Sequence, residues 1–174
     1  ASVSKPVLKN RLVLSAGIRA DANTYSNDMS NPIDQLSPRL SASYSVSQKW
    51  SINFNTGRYY QLPAYTILGY GNQTGPLVNK RNNLTYISSD HLVGGVQFDP
   101  DISTKITIEG FYKKYKDYPY SIADSISLAN LGSDFGVVGN EEVNSSSKGR
   151  AYGVEFLIQR RSEIGIYGIL SYTY

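Results

Sequence analysis

Lys105 to Lys113 alternates without a break: Ile106, Ile108, Gly110 and Tyr112 have one parity, and Lys105, Thr107, Glu109, Phe111 and Lys113 the other. A β-strand sends successive side chains to opposite faces, so this segment has one apolar face and one mostly polar face that carries charge. It continues through Lys114, Tyr115, Lys116, Asp117, Tyr118 and Pro119 into a long polar region. The stretch reads as a strand that crosses an apolar layer and rises into water.

Six other segments repeat this plan. In Arg11 to Asp21, Leu12, Leu14, Ala16, Ile18 and Ala20 oppose Val13, Ser15, Gly17, Arg19 and Asp21. In Pro38 to Ser47, Leu40, Ala42, Tyr44 and Val46 oppose Arg39, Ser41, Ser43 and Ser45. A short turn at Ser47, Gln48 and Lys49 leads into Trp50 to about Tyr60, which predicts an antiparallel hairpin. Trp50, Ile52 and Phe54 there face away from Ser51, Asn53 and Asn55, but Thr56 and Arg58 share the apolar parity. Either the apolar layer ends at that point or a bulge shifts the register. The remaining segments are Asp90 to Asp99, Arg150 to Arg160 with Tyr152, Val154, Phe156 and Ile158 on one face, and Ile164 to Tyr174 with Ile166, Gly168, Leu170 and Tyr172.

These segments run about ten residues, longer than the ~5 to 6 usual in soluble sheets and matching the ~9 to 11 that carry a tilted strand across a bilayer. Their connections alternate long and short, as do the extracellular loops and periplasmic turns of a transmembrane barrel. The fold class expected is all-β: an antiparallel up-and-down meander of about seven long strands, with residues 1–174 a single segment of a larger transmembrane β-barrel. The odd strand count, with no closing partner, is the reason for reading a segment, because single-chain bacterial barrels have even counts.

Energetics orients the faces. A Lys or Arg at the bilayer midplane costs roughly 2 to 4 kcal/mol. Leu40, Tyr44, Trp50, Ile52, Phe54, Ile106, Ile108, Val154 and Phe156 are therefore expected to face lipid. Arg39, Asn53, Asn55, Glu109, Lys113, Glu155 and Gln159 are expected to line a wet lumen. Trp50 and Phe98 flank short turns, where an aromatic girdle anchors one interface. The competing reading is a soluble or surface-attached β-rich binding or adhesion module, a two-sheet sandwich in which the same apolar residues are buried against a second sheet.

Composition narrows the chemistry. Fifteen Tyr and 15 Gly against 1 Met and no Cys suit a β-rich chain and exclude disulfides, thiolate metal sites and a cysteine nucleophile. The net charge of +3 is spread along the chain, with no basic stripe for nucleic acid. Mixed cations and rings at Lys113, Lys114, Lys116, Tyr112, Tyr115 and Tyr118 suit a membrane interface better than stacking on bases. No apolar run is long enough for a transmembrane helix, and ASVSKPVLKN lacks the apolar centre of a signal peptide.

The single histidine, His91, begins a strand beside a loop and reads as a rim residue. Asp21-Ala22-Asn23-Thr24-Tyr25 opens like a calcium loop but lacks its third ligand, its glycine and its distal Glu. Glu141 and Glu142 are adjacent, so their side chains diverge in an extended segment. No nucleophile elbow, phosphate loop or dinucleotide fingerprint is present. No catalytic residue, metal or cofactor is expected, and the chain is not read as an enzyme. The binding candidates are Tyr59, Tyr60, Tyr65 and Tyr70, which offer stacking faces, with Asn72 and Gln73, which offer paired donors and acceptors. Such a set suits sugars or planar chelates; the alternative is a loop that only packs on its neighbours.

LSAGIRAD at Leu14 to Asp21 and SPRLSASYSVSQKWSINFNTGRYYQLPAY at Ser37 to Tyr65 resemble strands of the C-terminal barrel of TonB-dependent receptors, especially the large group in Bacteroidetes. IEGFYKKYKDYP, GRAYGVEFLIQRR and YGILSYTY continue the resemblance in the same order. It implies an outer-membrane active transporter of about 22 strands, plugged by an N-terminal domain. The implied partners are outer-membrane lipid, the plug domain of a parent chain, the TonB complex that energises it, and a small-molecule, glycan or peptide substrate. The plug, the TonB-contacting box and the family's terminal aromatic strand are expected to lie in that parent.

Overall fold

The computed structural model describes residues 1–71, 75–131, 139–161, 165 and 167–174. They form one antiparallel sheet of eight strands in sequence order. The strands are β1 (Ser2–Val7), β2 (Leu12–Ala20), β3 (Leu36–Ser45), β4 (Trp50–Gln61), β5 (Ile87–Asp101), β6 (Thr104–Ser121), β7 (Val143–Arg161) and β8 (Tyr167–Thr173). Three helical turns, α1 (Asn27–Ser30), α2 (Tyr65–Leu68) and α3 (Val78–Arg81), and a 3-10 turn at Leu128–Asn130 lie in the long connections. The turn at 162–164 and Ile166 lie outside the described residues.

The sheet has one strand more than the alternation predicts. β1 carries Pro6, which is tolerated at a sheet edge, and joins β2 through Leu8, Lys9 and Asn10, all with positive φ. No glycine marks that turn, so its sequence gives no hairpin signal. The short turns are held locally. Ser47 Oγ accepts from the backbone N–H groups of Lys49 and Trp50 at 3.2 and 3.1 Å, and Asp101 Oδ1 accepts from Ser103 N at 2.8 Å.

Register aligns the faces across the sheet. Leu12, Tyr44, Ile52, Val96, Ile108, Phe156 and Tyr172 are successive cross-strand partners, as are Leu14, Ala42, Phe54, Gly94, Gly110 and Val154. On the other face the matching row is Ser43, Asn53, Gly95, Glu109, Glu155 and Thr173. The apolar face is open: Leu40 is 57%, Ile52 49% and Ile108 52% exposed. Among the described residues no second sheet covers it.

β4 and β5 pair without a register shift from Trp50 opposite Phe98 to Gln61 opposite Ile87. The apolar layer therefore ends near Thr56, and Arg58 stays on that face opposite Asp90. β5, β6 and β7 extend beyond the alternating stretches to Ile87, Ser121 and Val143. Their outer ends show no period because the β6–β7 pairing shifts between Tyr115 and Tyr118 and again before Tyr120, with Asp117 at φ 58°.

The buried core lies at the long-loop end. Met29, Ile67, Leu68, Leu84, Tyr86, Leu128 and Val143 pack together, with Tyr25, Tyr60, Leu62 and Tyr118 against them. Three long connections thus meet in one cap over the sheet.

Candidate functional site

Asn79 ties the cap together. It is fully buried on α3, and its Nδ2 donates to Ile67 O at 2.7 Å and Glu141 O at 2.9 Å, while its Oδ1 accepts from Val143 N at 2.9 Å. One amide side chain therefore joins α2, α3 and the start of β7. Tyr25 donates its hydroxyl to Leu68 O at 2.7 Å, and burial pushes that phenol above its ordinary pKa, so it remains a donor. Ser26 Oγ accepts from Met29 N at the start of α1 and donates to Leu84 O, joining the first loop to the second. Glu141 accepts from Ser121 Oγ and Glu142 from Asn82 Nδ2. These carboxylates diverge, as expected, and both hold loop structure.

Beneath the cap, the polar face carries a shelf of rings. Arg39, Gly57, His91, Lys113 and Ala151 are successive cross-strand partners, and the next row outward is Tyr59, Ser89, Tyr115 and Gly149. The Arg39 guanidinium lies 4.4 Å from the Tyr59 ring centre. Tyr59 lies 4.5 Å from the His91 ring, and His91 6.5 Å from Tyr115, edge to face. His91 Nε2 shares a 2.7 Å hydrogen bond with Ser89 Oγ. At the far side, the Lys113 ammonium sits 4.8 Å from the Phe111 ring.

Two glycines make room for this layer. A Cβ on Gly57 would lie 3.0 Å from Arg39 Cγ, so its absence lets the arginine cross β4 to reach Tyr59. A Cβ on Gly95 would lie 2.6 Å from Glu109 Cγ, so the glutamate likewise lies flat over its neighbour. A Cβ on Gly95 would also lie 2.6 Å from the Ile108 carbonyl oxygen, so a substitution there displaces the paired backbone as well as the glutamate, while one at Gly57 crowds both the Arg39 side chain and the Pro38 carbonyl.

The shelf also carries unfilled polar capacity. Among the described residues, Asp21 Oδ2, Gln35 Oε1, Ser37 Oγ and Arg39 Nε are buried without a hydrogen-bond partner. Gln35, Ser37 and Arg39 share the polar parity, and Asp21 follows β2 beside them, held by Arg19 at 2.6 Å. Beside Tyr115 a cleft of about 450 Å³ opens between Gln61, Tyr118, Asn130 and Gly149. The rings of Tyr115 and Tyr118, the exposed amides of Gln61 and Asn130, and Lys148 and Arg150 at this cleft can stack on a planar or sugar ring and hold an anionic group.

The sequence-read candidates are divided by this geometry. Tyr59 belongs to the shelf, whereas Tyr60 has the opposite parity on β4 and packs on the cap core. Tyr65 is 81% exposed at the start of α2, and Tyr70 is half-buried in the following loop. Asn72 and Gln73 lie outside the described residues. Of the polar-wall set, Arg39, Asn53, Asn55, Glu109, Lys113, Glu155 and Gln159 share one face. Leu40, Tyr44, Trp50, Ile52, Phe54, Ile106, Ile108, Val154 and Phe156 share the other.

His91 lies inside β5 rather than at the start of a strand, half-buried between Tyr59 and Tyr115 in the ring stack. Tyr112, Tyr115 and Tyr118 do not act as one group, because Tyr115 turns to the shelf, Tyr112 to the apolar face and Tyr118 to the cap. Parity was the available signal: Tyr59, His91 and Tyr115 all match the polar residues of their own strands.

A search of the curated proteins found no match. The family model for the β-barrel of TonB dependent receptor-like proteins matches residues 6–174, and the chain belongs to that family.

Proposed function

We propose that this chain forms part of the wall and extracellular mouth of an outer-membrane importer driven by TonB. The family's general activity is TonB-dependent transport across the outer membrane. In this reading the exposed apolar face lies against lipid and the polar face lines the passage. The plug domain of the parent chain occupies that passage, and the TonB complex acts through the plug. No helix among the described residues is long and apolar enough to cross a membrane, so any crossing belongs to the strands.

The observation that carries the substrate side is the ring shelf beneath the loop cap. Arg39 and His91 in one row and Tyr59 and Tyr115 in the next offer stacking faces and a cation, and Tyr115 borders an open cleft. This suits a glycan ring or a planar chelate with an anionic group, taken at the mouth before it passes the plug.

The test uses the full receptor in cells, with its substrate found by comparing uptake with and without the receptor. Tyr59→Ala removes the stacking face between Arg39 and His91, and is expected to weaken substrate binding about tenfold. Arg39→Gln should weaken binding of an anionic substrate and spare a neutral analogue. Unchanged binding by both variants, in receptors that reach the surface at normal levels, contradicts the assignment of the shelf.

A further inference from the structure

On the polar face beneath the cap, one row carries a guanidinium, an imidazole and an ammonium. Arg39, Gly57, His91 and Lys113 are successive partners across β3, β4, β5 and β6, four strands that each have paired neighbours on both sides. His91 and Lys113 oppose each other directly, which sets their Cβ atoms about 5 Å apart. From the other side, the Arg39 chain crosses Gly57 to reach Tyr59, whose ring packs on His91. His91 therefore stands between two cations.

Their charge is not balanced locally. Neither Arg39 nor Lys113 has an ion-pair partner among the described residues, and Arg39 Nε is buried without a hydrogen bond. The carboxylates around the row are turned elsewhere. Asp90 is held by Arg58 on the opposite face, Asp21 is held by Arg19, Asp117 accepts from Ser88 at 3.4 Å, and Glu109 lies two rows deeper. His91 stands one residue beyond Leu92, the partner of Thr56 where the apolar layer ends, so its ring meets the wet mouth. A proton on it would add a third positive charge to two that lack a counter-ion, at a half-buried site where that repulsion is stronger than in water. An anion seated between Arg39 and Lys113 reverses the balance. A charged His91 donates from both nitrogens, one toward Ser89 Oγ at 2.7 Å and the other, unpaired among the described residues, toward the ligand.

We propose that the shelf takes the anionic group of its substrate together with a proton, the anion lying between Arg39 and Lys113 and the proton, drawn from solvent, going to His91. The inference rests on the shelf being the substrate site. It adds what the site selects: a molecule bearing a phosphate, sulfate or carboxylate, held more tightly as the medium turns acidic. The bound state carries a proton that the free state lacks, so affinity should rise about tenfold as pH falls through the imidazole range, from about 7.5 to about 5.5, and level off below it.

The test is NMR of the histidine rings of the full receptor in detergent, with the His91 signal identified by its loss in His91→Gln. The pH titration is run in inorganic sulfate and in chloride at equal ionic strength. Sulfate keeps its charge through this range, so any difference belongs to the receptor. In sulfate the His91 ring should take its proton about one pH unit higher than in chloride. Arg39→Gln with Lys113→Gln should remove that difference, because the anion loses both of its cations. Identical titrations in the two salts overturn the proposal, as does a difference that persists in the double variant. Tyr59→Ala separates this failure from failure of the shelf. Weakened substrate binding in that variant, with identical titrations, keeps the shelf and removes the proton; unchanged binding removes the shelf as well.

Discussion

Ile108→Arg should destabilise the parent barrel in a bilayer by about 2 to 4 kcal/mol, whereas Asn55→Arg should change its stability by less than about 0.5 kcal/mol. Ile108 sits between Val96 and Phe156 on the apolar face, within the band bounded by Trp50 and Phe98 at the short-turn end and by Tyr112 and Tyr152 at the loop end. Trp50 and Phe98 stack at 4.4 Å, forming one aromatic margin of that band. An arginine at Ile108 must carry its charge through hydrocarbon to reach either margin. Asn55 is exposed on the polar face, where a new charge meets water. Denaturant titration of the receptor refolded into vesicles reads both changes. Equal effects on the two faces would remove the basis for assigning one to lipid.

The second large effect is expected in the cap. Asn79→Leu fits the volume but leaves the carbonyl of Glu141 and the N–H of Val143 without their partner, and the carbonyl of Ile67 with only the backbone N–H of Tyr70. Each buried orphan costs roughly 1 to 3 kcal/mol, so the cap should lose about 3 kcal/mol or more of local stability. Hydrogen exchange at Val143 and through 62–86 is expected to speed up about a hundredfold, while the strands below Thr56 keep their protection. Exchange that accelerates uniformly through the sheet would contradict a separate loop unit.

The contrast between these sites explains what was legible in the sequence. Alternation in Ile106 to Tyr112 or Tyr152 to Ile158 is strict, as expected of strands with one side toward an apolar phase and the other toward water. Beyond Lys114 and before Arg150 no such contrast exists, and bulges break the register, so the strand ends to Ser121 and Val143 left no pattern. The cap was hidden for a different reason. Met29, Leu128 and Val143 are isolated apolar residues in long polar runs, and helical turns of four residues have no period to read.

The shelf was half legible. Tyr59 is visible in the sequence by its ring, but the sequence sets it beside Tyr60 and Tyr65. Its actual partners are Arg39, His91 and Tyr115, each brought in by strand pairing. Parity alone could have rejected Tyr60 and admitted His91. The depth at which three distant residues meet depends on register, which only the paired sheet supplies.

Lipid against one face of this sheet and water against the other can be tested directly. Residues 1–174 contain no cysteine, so in a parent receptor freed of any cysteine elsewhere spin labels can be placed singly after Leu40→Cys, Ile52→Cys, Ile108→Cys or Val154→Cys, and after Asn55→Cys, Glu109→Cys or Glu155→Cys. With the receptor in vesicles, the first group should collide with dissolved oxygen and be shielded from a water-soluble nickel chelate. The second group should show the reverse. Labels on both faces that meet the chelate equally, or a reversed pattern, would contradict the assignment.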